Sequence, residues 1–185
     1  LEGHRADTAV VLVHGFKGFR RFGFFPNLAR AAAARGYAAV TFDFSHNGIG
    51  EDGADTFSAM PLFTAQTHTR NLEEIHRVLD ALSSGALLNR PTRRIGLLGH
   101  SRGGGEAVLT AAGDPRVDAL VTWASIADIG ARWTPEQVET FRAGGTVEIE
   151  NARTKRMMPV GPAYWRDWEA NRERLDVLAA AARLS

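Results

Sequence analysis

The sequence contains no cysteine, which excludes a disulfide framework, a thiolate–zinc site and a cysteine nucleophile. It has no excess of charge either: 22 Lys and Arg face 21 Asp and Glu, for a formal net charge of +1. A nucleic-acid partner is not expected without a strong basic excess. No apolar run approaches the length of a membrane span, so no membrane partner is expected. The opening residues Leu1–Asp7 carry neither a signal-peptide pattern nor an initiator Met, and a cytoplasmic location is expected. No His, Asp and Glu spacing suggests a metal site, and no Walker-type loop is present, so no metal and no cofactor are expected. The last absence is positional. The six histidines are His4, His14, His46, His68, His76 and His100, and none follows.

What is present is an alternation of strand-like and helix-like segments. Thr8–His14, Tyr37–Phe44, Arg94–His100 and Val117–Ser125 read as strands, the first a continuous run rich in β-branched residues. Between them lie helical patterns. Pro26 can open one and Gly36 close it. Leu72, Ile75, Val78, Leu79 and Leu82 repeat at helical spacing, and Glu106–Ala112 continues as a helix stopped by Asp114-Pro115. This order predicts an α/β fold: a parallel sheet core with helices on both faces. After Ser125 the alternation breaks. Residues 129–168 read as an inserted cap, with a capping-box start at Thr134–Gln137 and an aromatic cluster of Tyr164, Trp165 and Trp168. Residues 169–185 read as one closing helix, with Leu175, Leu178 and Leu184 as its apolar stripe, and 1–128 as the core.

Gly99-His100-Ser101-Arg102-Gly103 matches G-x-S-x-G at the end of an apolar strand and the start of a helix. In such a turn the serine hydroxyl stands above the sheet, and the flanking glycines let strand and helix approach without a Cβ. The next backbone N–H, that of Arg102, lies at a helix N-terminus where an anion is favoured. The competing reading is a Gly-rich turn with a capping serine. A tetrahedral oxyanion needs a second backbone donor. His14-Gly15-Phe16 ends the first strand and offers the Phe16 N–H.

Strand-HGFKGF, strand-DFSHNGIGED and strand-GHSRGG, in that order, resemble the α/β-hydrolase superfamily, in particular its dienelactone-hydrolase-like and cinnamoyl or feruloyl esterase branch. The resemblance implies a partial α/β-hydrolase fold with a cap insertion after the strand ending near Ser125. It implies Ser101 as nucleophile, Phe16 and Arg102 as the oxyanion hole, and a small-molecule ester substrate hydrolysed through an acyl-enzyme. Peptidase, thioesterase and acyltransferase chemistry use the same geometry and stay open. The triad of this fold runs Ser, acid, His along the chain. The His must then follow Ser101, so the sequence reads as truncated, with acid and His beyond Ser185.

Within the chain, Asp128 is a possible acid and His46 a possible substrate contact. His100 is expected to point away from Ser101, and His68 and His76 to sit solvated on a surface helix. Gly48-x-Gly50-x-x-Gly53 is rejected as a phosphate loop, because no apolar helix follows it and Glu51, Asp52 and Asp55 would repel a pyrophosphate. The cap aromatics and Met157 and Met158 either line a pocket or form the cap's own core. The alternative to a hydrolase is a catalytically incomplete binding or interaction module, pairing through the fourth strand as an exposed sheet edge.

Overall fold

Four strands form one parallel sheet in the order β2-β1-β3-β4: β1 (Thr8–Val13), β2 (Ala38–Thr41), β3 (Arg94–His100) and β4 (Val117–Trp123). The structure is a computed structural model that describes residues 7–50 and 55–184. His4, Glu51, Asp52 and Gly53 lie outside the described residues. Parallel neighbours require crossovers, and helices supply them. These are α1 (Phe25–Ala33), the short α2 (Met60–Thr64) with α3 (His68–Ser83), and α4 (Arg102–Gly113).

Strand parity decides which side chains meet which helix. Ala9, Val11 and Val13 of β1 and Ile95 and Leu97 of β3 share one face, where they pack on Ile75, Leu79 and Leu82 of α3 and Ala107 of α4. Full burial of a side chain of this size stabilises by roughly 1.5–3 kcal/mol. α1 covers the opposite face, and Phe24 at its start meets His100 at 5.2 Å and Trp123 at 4.6 Å. His100 therefore packs beside the sheet. β4 is an edge strand, with Val121 and Trp123 more than half exposed. The β2 pairing is short, four residues against Ala9–Leu12, because beyond it Phe42 and Phe44 turn in to pack on the His14 ring.

The segment after β4 holds α5 (Pro135–Arg142), an antiparallel pair β5 (Val147–Glu150) and β6 (Met157–Val160), then α6 (Pro162–Ala170) and α7 (Val177–Ala181). The capping box at Thr134 and Gln137 is formed. Pro159 of β6 stands in a two-stranded ribbon, the edge setting in which a missing N–H is tolerated. Trp133, Phe141, Met158, Val160, Tyr164 and Trp165 form a second core with Phe19, Phe57 and Phe63 of the sheet side. The aromatics thus pack with each other and bind the segment to the loops beneath it.

One expectation is corrected. Residues 169–184 are not a single helix, because α6 stops at Ala170 and Asp176 caps a new helix by accepting the Ala179 N–H at 2.8 Å. The break rotates the apolar positions out of one stripe. Leu175 is buried, while Leu178 is 64% exposed. Replacing Leu175 by Ala should therefore cost about 2–4 kcal/mol, and Leu178→Ala within about 0.5 kcal/mol of nothing. Denaturant unfolding checks this, and equal losses at both positions would restore the single-helix reading.

Candidate active site

Ser101 stands between β3 and α4 with φ 57° and ψ −123°, a conformation that costs a residue with a Cβ of order 1–3 kcal/mol. Its side chain does not cap α4, and among the described residues Ser101 Oγ has no hydrogen-bond partner. That removes the reading of a capping serine. Backbone contacts on every side hold the turn. The Ser101 N–H donates to the Trp123 carbonyl at 3.1 Å, and the Ser101 carbonyl accepts from Gly104 at 3.0 Å and Ile126 at 3.2 Å. A Cβ on Gly99 would overlap the Gly103 carbonyl, and one on Gly103 would overlap the carbonyl oxygens of Val13 and His14. The helix start and the end of β1 are therefore in backbone contact.

The same contact brings in the loop after β1. A Cβ on Gly15 would sit 2.9 Å from the His100 carbonyl oxygen, 3.0 Å from Ser101 Cβ and 3.4 Å from the Arg102 nitrogen. Only glycine fits there, and Phe16 follows directly. The loop closes as a turn in which Gly18 donates to the Gly15 carbonyl at 3.0 Å and Lys17 takes φ 58°. Neither the Phe16 nor the Arg102 N–H donates to a carbonyl in a turn or loop among the described residues.

His14 holds this loop from inside. Its Nδ1–H donates to the Gly15 carbonyl at 3.0 Å, and its Nε2 accepts from the Phe44 N–H at 3.4 Å. Both bonds need the neutral ring. Burial lowers its pKa to about 4, against the Gly15 bond that favours the charged form. His14 thus positions the loop and does not act as a base.

The sequence reading treated Arg102 only as a backbone donor. Its side chain is buried at the centre of a polar cluster. Nη1 donates to Gln66 Oε1 at 2.6 Å, Nε lies 3.4 Å from Glu106 Oε1, and the guanidinium stacks 5.0 Å over the Phe16 ring. Asn71 donates to Glu106 at 2.7 Å, and His68 Nδ1 lies 3.7 Å from it. Burial works to raise the Glu106 carboxyl, but Arg102 and then His68 and Asn71 outweigh it and hold it below the usual carboxylate range. His68, expected to be solvated, is fully buried because Tyr164 of α6 packs edge-on against it at 4.4 Å. Burial holds His68 below its ordinary pKa. The signal for this cluster was an Arg-x-x-x-Glu pair on an otherwise small and apolar helix.

The fold that carries this strained serine turn is found in known proteins. The α/β hydrolase family model matches residues 10–184. The chain belongs to the α/β hydrolase family. A relative in Escherichia coli, the uncharacterized 31.7 kDa protein in the traX–finO intergenic region, is 33% identical over 142 residues, which are 77% of this chain and 46% of that protein. The chain thus spans about half the length of the curated relatives it matches. A presumed hydrolase of Agrobacterium vitis S4 superposes with TM-score 0.66 at 22% identity, over 89% of this chain and 61% of that one. A soluble variant of the monoglyceride lipase of Saccharomyces cerevisiae, in complex with a substrate analog, superposes with TM-score 0.60 at 15% identity, over 99% and 62%. These two likenesses are of fold.

Within this member of the α/β hydrolase family the other sequence candidates make hydrogen bonds of their own. Asp128 Oδ1 accepts the Gly130 N–H at 2.7 Å and so closes a turn after β4. His46 Nδ1 pairs with Ser45 Oγ at 2.7 Å, and Ser45 in turn bonds Glu74. His76 is half-buried and bonded to Asp114 at 3.0 Å. No described bond joins Ser101 to a histidine or a carboxylate. Among the described residues no group of three His, Cys, Asp or Glu could hold a metal ion. No helix among them is long and apolar enough to cross a membrane.

Two outcomes follow. Gly103→Ala must push α4 off the end of β1, and a loss of about 2–4 kcal/mol in chemical denaturation is expected. A loss under 1 kcal/mol would show that the contact is soft. His14, neutral when folded, has a pKa depressed from 6.5 to about 4. Its contribution is complete above pH 6.5, is lost as pH falls through that window, and is flat below it, for a total of about 3 kcal/mol. Unfolding free energies at pH 7 and pH 4.5 should differ more in the native chain than in His14→Gln, and identical slopes would contradict the assignment.

Proposed function

We propose that this chain is the nucleophile-bearing core of a serine hydrolase that acts on carboxylic esters. Ser101 Oγ attacks the ester carbonyl and forms an acyl-enzyme, and the N–H groups of Phe16 and Arg102 hold the tetrahedral oxyanion. The single observation that carries the reading is Ser101 itself: a φ of 57° enforced by backbone contacts, with an uncommitted hydroxyl beside the Gly15 Cα. Support for an ester substrate comes from the lipase among its structural neighbours. The reading extends the likeness to the dienelactone-hydrolase-like and feruloyl esterase branch.

A histidine and a carboxylate from outside these 185 residues complete the triad. Without them the hydroxyl is a weak nucleophile at neutral pH, though the oxyanion hole and substrate site alone sustain ~10³–10⁴-fold over water in triad knockouts. The 129–168 segment acts as a cap over the site. A second reading, a binding module pairing through β4, is favoured by the exposed edge carrying Val121 and Trp123.

Prolonged exposure to an alkyl fluorophosphonate should place one adduct on the Ser101 peptide by mass spectrometry, and none in Ser101→Ala. An unmodified chain, or the same adduct in Ser101→Ala, overturns the nucleophile assignment and leaves the binding-module reading.

A further inference from the structure

The ring of Phe16 collects cations. The Arg102 guanidinium lies 5.0 Å from its centroid, the Arg132 guanidinium 4.6 Å and the Lys17 ammonium 5.9 Å. The three are not equivalent. Arg102 is buried and its charge is matched by Glu106. Arg132 is exposed, braced between Phe16 and the Trp133 ring at 4.8 Å, and makes no ion pair or hydrogen bond among the described residues. Lys17 donates to a backbone carbonyl, that of Glu150, at 2.8 Å. The Glu150 carboxylate is itself taken by Lys155 at 3.0 Å. Two cations therefore share one aromatic ring with no carboxylate bound to either.

Two neighbouring cations of this kind repel each other. Crowding by the aromatic rings dehydrates Arg132, and Lys17 is held below its ordinary pKa by burial and then by Arg132. Like charges gathered around one ring are relieved by an anion. An Arg held between two rings keeps its planar guanidinium fork, which can bind a carboxylate with two parallel bonds. Phe16 follows Gly15, which abuts Ser101, and its N–H is the proposed oxyanion donor, so on that reading the cations lie near the ester carbonyl.

We propose that Arg132, assisted by Lys17, is the specificity element of this site and selects esters that carry a free carboxylate a few bonds from the reacting carbonyl, such as monoesters of a short dicarboxylic acid. The proposal rests on the placement of Phe16 in the oxyanion loop given above. The carboxylate takes the Arg132 fork, Lys17 screens its second charge contact, and the ester end is left against Phe16 and Ser101. A neutral acyl chain of the same length gains no such contact and leaves two cations unmatched.

The test is binding without turnover, on the chain as it stands, read by isothermal titration calorimetry. The probes are N-phenylglutaramate and its neutral isostere N-phenylpentanamide, amides that resist hydrolysis. The native chain should bind the anion about tenfold more tightly at low salt, and the preference should shrink as salt rises. Arg132→Met should bring the two probes within about twofold, and Arg132→Lys should keep part of the preference. Equal affinity in the native chain, no binding of the anion, or an undiminished preference in Arg132→Met overturns the proposal. Ser101→Ala should keep the full preference, so a failed Ser101 assignment and a failed anion site give separate results.

Discussion

Three glycines let three pieces of backbone occupy nearly the same place. Gly99 is the next-to-last residue of β3, Gly103 lies in the first turn of α4, and Gly15 follows β1. A Cβ on any of them would strike backbone. Because they have none, the helix start presses on the end of β1 and the loop after β1 presses on Ser101. Within that contact Ser101 takes φ 57° and ψ −123°. Strain of this kind persists only where surroundings over-determine it, and here hydrogen bonds from Ser101 to Trp123, Gly104 and Ile126 do so.

A buried polar cluster carries that constraint outward. Arg102 leaves the turn and meets Glu106, Gln66 and Phe16, while Asn71 and His68 of α3 close on the same carboxylate. Tyr164 of α6 seals it. Asp167, one turn on, accepts the N–H groups of His68 and Thr69 at 2.8 and 2.9 Å and so places a negative charge at the N-terminus of α3. The 129–168 segment is thereby tied to the same helix that packs on the sheet. Its aromatic residues fill the space between, and Arg132 and Lys17 are left facing outward around Phe16.

Much of this was legible in the residues. Four parallel strands followed from β-branched runs separated by helical spacing, and the Ser101 turn followed from glycines two residues either side. What was not legible depends on contacts between distant segments. His68 reads as a surface residue of an amphipathic helix, and only the return of α6 nearly a hundred residues later buries it. The run 169–184 has the composition of one helix, yet the Asp176 side chain offers the backbone a competing bond and starts a new one. The buried side chain of Arg102 could be suspected only from its spacing to Glu106.

The central claim is that the glycine contact sets a reactive hydroxyl opposite two backbone donors. The most direct measurement is a crystal structure of the chain after reaction with a phosphonate ester. The account predicts phosphorus bonded to Ser101 Oγ, with one phosphoryl oxygen about 2.7–3.1 Å from the backbone nitrogens of both Phe16 and Arg102. An adduct on another residue, or a phosphoryl oxygen bonded to neither nitrogen, would contradict it.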